Sequence, residues 1–124
     1  MSERRWDVLV GDMLDCCNGI LMHTAGLDRE LVFRTRVVRD ATLWNIGILG
    51  EAAGNVPKPV QKAHPEIPWR TIINARNRII HGYGDIDENV AWEIITHDVP
   101  ELMPQLRALL EEGEGEGAGG ADPT

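Results

Sequence analysis

At 124 residues, with 43% hydrophobic and 26% charged side chains, the chain has room for one globular domain whose core needs no metal or disulfide staple. No apolar run approaches the roughly 18 residues of a membrane span, and the opening Met1-Ser2-Glu3-Arg4-Arg5-Trp6 lacks the apolar stretch of a signal peptide. Cys16 and Cys17 are neighbours, which disfavours a disulfide between them, so the expectation is a cytoplasmic protein with reduced thiols and no membrane partner.

The net charge of −8 argues against a broad basic surface for nucleic acid. Five of the acids, Glu111, Glu112, Glu114, Glu116 and Asp122, lie in a C-terminal stretch without Lys or Arg; setting them aside leaves 12 basic and 15 acidic side chains, a net −3. The arginines then group as Arg29, Arg34, Arg36 and Arg39 in one segment and Arg70, Arg76 and Arg78 in another. A local basic site is allowed, although most such arginines in proteins belong to solvated faces.

Along the chain, Val8, Leu9, Met13, Leu14, Cys17, Ile20 and Leu21 recur at three- and four-residue spacings and predict a helix from Trp6 to about Met22. Gly26 breaks it, and Asp28 is a candidate N-cap for a second, bent helical stretch reaching Gly54. Its part from Ala41 to Ala53 is apolar nearly all round, which predicts a central buried helix. Gly47, Gly50 and Gly54 cost helix propensity there and predict close packing of another helix. Pro57, Pro59, Pro65 and Pro68 leave space for one short helix near Pro59 to Ala63.

Pro68 suits the first turn of a helix from Trp69 to about His81, which Gly82 and Gly84 would end. Asp85-Ile86-Asp87-Glu88 fits a capping box opening a helix through Val90, Trp92, Ile94 and Ile95, and Asp98-Val99-Pro100-Glu101 repeats it before a last helix through Leu102, Leu106, Leu109 and Leu110. From Gly113 the composition is too poor in apolar residues to pack. The expectation is therefore an all-α fold, an antiparallel bundle of four or five helices over residues 1–112, with a disordered acidic Gly-rich tail at 113–124. The four tryptophans, Trp6, Trp44, Trp69 and Trp92, are expected in the core.

The chemistry-bearing stretch is Arg76-Asn77-Arg78-Ile79-Ile80-His81-Gly82-Tyr83. A guanidinium holds a phosphate with two hydrogen bonds, and an imidazole moves protons near neutral pH. On a helix, Arg70, Asn74, Asn77, Arg78 and His81 share a polar stripe, while Arg76 falls among Ile72, Ile73, Ile79 and Ile80. Such a guanidinium needs a partner or a cleft; Glu51, alone in the most apolar helix, is the expected partner. Asn77, one turn before His81, could orient the imidazole. Arg76 and His81 diverge by roughly 140° on an ideal helix, which leaves three options: the arginine reaches round, the helix ends first, or two copies of the chain share one site. Spacing alone does not make Arg76 and His81 catalytic, since most such residues are surface groups. The four histidines and two adjacent cysteines make no zinc pattern, and no P-loop, dinucleotide fingerprint or serine nucleophile elbow is present, so no cofactor is expected.

At these residues the chain resembles the HepT family of HEPN-domain proteins, the toxin partners of MntA-type minimal nucleotidyltransferases. The family's mark is Arg, four residues, His, one residue, Tyr, matched here by Arg76, His81 and Tyr83. The likeness extends to Arg39-Asp40-Ala41, Ile48-Leu49-Gly50-Glu51-Ala52-Ala53, His64-Pro65-Glu66-Ile67-Pro68-Trp69, and to Asp87 with Val90-Ala91-Trp92, about residues 5–110 in all. Residue 84 is glycine where members often carry an aromatic, and the acidic tail is extra.

The resemblance implies a HEPN-type bundle that forms a homodimer with a composite site. It implies a metal-independent endoribonuclease toxin acting on RNA, with tRNA as one candidate. By that analogy Arg76 holds the scissile phosphate, His81 transfers protons, Asn77 orients or binds, and Tyr83 accepts AMP from an MntA-like nucleotidyltransferase antitoxin that silences the enzyme; Glu51, as the expected partner of Arg76, is a supporting residue. The alternative from another class is a non-catalytic subunit that presents nucleotide or substrate to a nucleotidyltransferase. A third reading is a helical dimerisation module in which Arg76 and His81 are structural.

Overall fold

The structure, a computed structural model, describes the backbone of residues 5–120; the side chains of Tyr83 and of residues 114–120 lie outside the described residues, as do residues 1–4 and 121–124. The fold is all-α, as the sequence predicts: α1 (Trp6–Thr24), α2 (Arg29–Arg34), α3 (Arg36–Asn55), α4 (Lys58–Ala63), α5 (Trp69–Ile73), α6 (Ala75–Ile79), α7 (Glu88–Glu93) and α8 (Val99–Gly120). A single 3-10 turn, Gly82–Gly84, follows α6, and a π turn, Ile94–Asp98, joins α7 to α8.

The apolar spacing of α1 buries Leu9, Val10, Met13, Cys17 and Ile20 against α3 and α8. From α3 come Ile46, Leu49 and Ala53, and from α8 Leu102, Leu106 and Leu109. Burial pushes the thiol of Cys17 up to about 12; burial, then Asp12 and Asp15, push that of Cys16 up to about 11. Both are free thiols, held protonated and inert.

Asp28 is the N-cap of α2, its Oδ1 accepting from the Leu31 amide at 2.9 Å. Gly26, at φ 75°, supplies the left-handed residue the preceding turn requires. The bend within the second helical stretch falls at Thr35, between α2 and α3. Gln61 is buried and its Nε2 donates to the carbonyls of Ala53 (3.2 Å) and Val56 (2.9 Å), so α4 closes the C-terminal end of α3.

The glycines of α3 do what their spacing predicts. A Cβ on Gly50 would lie 2.9 Å from the Ile72 carbonyl oxygen and 3.2 Å from that of Ile73, so α5 rests directly on the α3 backbone. Gly54 meets the Ile73 side chain, and Gly47 lies under Arg76, a Cβ there falling 3.6 Å from Arg76 Cδ.

Four expectations are corrected. The helix from Trp69 to His81 is two short helices, broken at Asn74 (φ −94°, ψ 6°) and finished at Ile79. Ile80 is extended and forms an isolated antiparallel bridge with Ile86. The N-cap of α7 is Asp87, not Asp85: its Oδ1 accepts from the Val90 amide at 3.1 Å. Nor is there a cap at Asp98, because α7 runs into α8 without leaving helical backbone, the Val99 amide bonding back to Ile94. Pro100 explains the wider turn: its ring would press on the Thr96 carbonyl and it donates no N–H, and one extra residue in the preceding turn relieves both.

Finally, Trp44 is not core. It is 69% exposed, whereas Trp69 is buried, Trp6 and Trp92 pack against the core, and Trp92 meets Phe33 edge-on at 6.5 Å. Thus α3 is central to the bundle but open along one face. Helical backbone in α8 continues past residue 112, and Gly113 is packed, since a Cβ there would lie 2.5 Å from Trp6 Cη2.

Candidate active site

Arg76 leaves α6 on the side facing α3. Its side chain is exposed and lines a cleft of about 340 Å³ with Asp40, Trp44, Gly47, Ile48, Glu51 and Ile80 among the walls. The cleft is the opening that the guanidinium's apolar neighbours required. The expected ion pair with Glu51 is not formed: both side chains border the cleft, both are exposed, and no ion pair joins them among the described residues. Water solvates each charge there, so neither needs the other.

The arginines divide as their surroundings dictate. Arg34 pairs with Glu30 at 2.9 Å, and Arg36 and Arg39 both pair with Asp40. Arg70, Arg76 and Arg78 make no ion pair among the described residues. Three arginines without an ion pair among the described residues thus stand on α5 and α6, and Arg76 is the one that lines the cleft.

His81 follows α6 but is not on it. With α6 ending at Ile79, the imidazole leaves from extended backbone (φ −101°, ψ −178°), which settles one of the three sequence options: the helix ends first. Asn77 therefore does not stand one turn below His81, and among the described residues no hydrogen bond joins them. The imidazole's neighbour is Asp87 instead, with His81 Nε2 3.9 Å from Asp87 Oδ2 and the His81 side chain 56% exposed. One carboxylate thus caps α7 through one oxygen and faces the imidazole with the other.

Backbone bonds hold the loop between them. The His81 amide donates to the Asp85 carbonyl and the Asp87 amide to the Ile79 carbonyl, both at 2.7 Å. Gly84, at φ 80°, provides the left-handed turn that lets the chain reverse after Tyr83. Tyr83 occupies the middle of the 3-10 turn; its side chain lies outside the described residues. Asn77 is exposed on α6.

Sequence reasoning missed Asp87 as the neighbour of His81, and Trp44 as a wall of the Arg76 cleft. Ile80 and Ile86 flanking the Gly82-Tyr83-Gly84 turn were the available signal for the first, because a tight reversal there brings residue 87 back beside residue 81. Nothing local marks Trp44, since its exposure depends on what α3 fails to bury.

A protein-family model described as Ribonuclease HepT-like matches residues 13–109. The chain is 29% identical over 100 residues to a protein of Caldanaerobacter subterraneus named as an RNase, an alignment covering 81% of this chain and 89% of that one. It is 27% identical over 109 residues to a Methanocaldococcus jannaschii protein also named as an RNase, covering 88% of this chain and all of that one (100%). Over 69 residues it is 36% identical to a protein of Thermococcus cleftensis named as a HepT ribonuclease, covering 56% of this chain and 63% of that one. No solved structure gives a significant match. The family match takes in α3, the α5–α6 pair, the loop of His81 and Tyr83 and the first half of α8, and the chain belongs to the HepT-like ribonuclease family.

Proposed function

We propose that the chain is a metal-independent endoribonuclease toxin in which Arg76 binds the scissile phosphate and His81 moves the protons. In the reaction the 2′-hydroxyl oxygen attacks the adjacent phosphorus, the P–O5′ bond breaks, and a 2′,3′-cyclic phosphate and a 5′-hydroxyl result. His81 removes the 2′-hydroxyl proton and a proton returns to the departing 5′ oxygen. Arg76 offers two donors to the non-bridging oxygens, whose charge grows in the transition state.

The observation that carries this reading is the unpaired Arg76 in an open cleft, followed five residues later by an exposed imidazole facing a carboxylate, inside a HepT-like ribonuclease match. Asp87 joins the site as the group that orients His81 or steadies its protonated form. Asn77 and Glu51 act in support, one on α6 and the other across the cleft.

The working unit is a homodimer whose two motifs face one another. Exposed Trp44 and Val37 on α3 support it, because large apolar side chains beside a polar site mark a protein contact. The substrate class is RNA, including tRNA, and the domain that acts on it spans residues 1–112, with 113–124 as an appendage.

Control acts at Tyr83. Its phenolic oxygen attacks the α-phosphorus of ATP on an MntA-like nucleotidyltransferase, the α–β bond breaks and pyrophosphate leaves, with the phenolic proton passing to a base of that enzyme. The AMP on the loop then blocks RNA by bulk and by negative charge beside Arg76.

The test is cleavage of tRNA and of a mixed RNA pool by full-length protein in EDTA, beside a folded His81→Ala variant, with Tyr83 shown to be unmodified by mass. Cleavage by the wild type, with a loss of at least 100-fold in His81→Ala, is the expected result. RNA binding without cleavage by either protein would favour a subunit that presents substrate to a nucleotidyltransferase.

A further inference from the structure

The motif helix carries a second arginine that the chemistry above leaves unused. Arg78 is two residues beyond Arg76, about 200° further round α6, and so faces the opposite flank. There it borders a cavity of about 230 Å³ with an apolar floor that includes Leu49, Ile72, Ile94 and Leu102. Arg78 is half-buried, and its Nη1 is shut off from solvent without a hydrogen-bond partner. A buried donor left unmatched costs about 1–3 kcal/mol, more when it is charged. Three carboxylates, Glu66, Asp98 and Glu101, border the same cavity, and none is within ion-pair distance of the guanidinium.

These features define the ligand by its chemistry. The volume falls below the roughly 300–1,000 Å³ of pockets for drug-sized molecules and suits a single flat ring system. Arg78 requires an acceptor; Glu66, Asp98 and Glu101 each turn one oxygen to His64 or His97, and the second oxygen of each can accept from a ligand N–H. The surplus of carboxylates over Arg78 disfavours an anion such as free phosphate. A neutral ring with two acceptors on one edge and N–H groups on another is a guanine base. Its O6 and N7 match a guanidinium, the commonest specific pairing of arginine with a base, while its N1–H and N2 amine suit a carboxylate. Adenine would turn an amine toward Arg78. Unstacked bases of single-stranded RNA expose both edges to a protein in this way.

We infer that the cavity is a guanine-selective base site, filled by a nucleotide of the RNA on the flank of α6 turned away from Arg76. Only the delivery of the base by RNA rests on the ribonuclease reading; recognition of the base itself does not.

The test is titration of guanosine, a neutral nucleoside, into the full-length protein, followed through the methyl NMR signals of Leu49, Ile72, Ile94 and Leu102. Saturable shifts with guanosine are expected, at least tenfold weaker with adenosine and with 7-deazaguanosine, which lacks only the N7 acceptor. Arg78→Met should remove them, while His81→Ala should leave them unchanged. If Arg78→Met does not fold, the 7-deazaguanosine comparison still decides. Absence of saturable shifts with guanosine, or equal shifts with every nucleoside, overturns the inference. Guanosine binding without RNA cleavage would sink the ribonuclease reading and leave the base site standing; cleavage without guanosine binding would do the reverse.

Discussion

Gly50 shows how much of this site rests on one missing methyl group. The carbonyl oxygens of Ile72 and Ile73 approach the α3 backbone so closely that a Cβ at residue 50 would fall 2.9 Å from the nearer one. Both carbonyl oxygens are backbone atoms and a Cβ has no rotamer, so no side-chain adjustment relieves the contact. Gly50→Ala should destabilise the protein by about 1–3 kcal/mol, despite the better helix propensity of alanine, and urea unfolding measures the loss. Because α6 continues from α5, the same substitution should displace Arg76 and lower RNA cleavage more than the stability loss explains. A neutral or stabilising Gly50→Ala would mean that the close approach carries no weight. Small residues were readable as packing devices in the sequence. Which helix they admitted was not, because that depends on contacts far apart in the chain.

Among elements, the long helices were the most legible. Repeats of Leu, Ile, Val and Met at helical spacing located α1, α3 and α8, and Asp28 marked the start of α2 through an amide it does cap. The motif segment was read as one helix because Ile79 and Ile80 continue its apolar period. The break came from the bridge between Ile80 and Ile86, a pairing that no single-residue propensity reveals. At the α7–α8 junction, the side chain of Asp98 looked like a cap, but continuous backbone gave it another role. Asp98 lies 3.3 Å from His97 Nδ1, Glu93 approaches the same nitrogen, and Glu101 approaches Nε2 at 3.2 Å. The hydrogen bond to Asp98, then the charge of Glu101, raise the His97 pKa above 6.5. A raised folded-state value means that this group's stabilisation is complete below the unfolded imidazole's pKa and fades as pH rises through the folded one. The stability difference between wild type and His97→Gln should therefore be present at acidic pH and vanish above the folded pKa. Urea unfolding across that range would show it, and a pH-independent difference would rule it out.

For the molecule as a whole, the open face of α3 is the main departure from a sealed bundle. Trp44 is 69% and Val37 79% exposed, and the tryptophan also borders the Arg76 cleft. If a second copy covers this face, Trp44→Asp should convert the dimer to monomer and abolish RNA cleavage without lowering the thermal transition of the monomer. Light scattering after gel filtration would read the mass and the cleavage assay the activity. A fully active Trp44→Asp monomer would show that one chain suffices. The sequence made α3 apolar nearly all round, and that composition fits burial by the chain's own helices as well as by a neighbour. Only the packed bundle shows which face its own helices leave uncovered.

Asp87 has one more consequence. Its Oδ1 holds the Val90 amide while its Oδ2 faces His81, so a single rigid carboxylate connects a backbone proton to the imidazole. Any event that redistributes charge at His81, whether protonation, an arriving phosphate or a modified loop, alters the acceptor strength felt by that proton. The Val90 amide resonance is therefore a built-in reporter of the site, needing no label beyond ¹⁵N. Its shift should move as inorganic phosphate is added to the wild type and stay still in His81→Ala, giving occupancy of the site without any turnover.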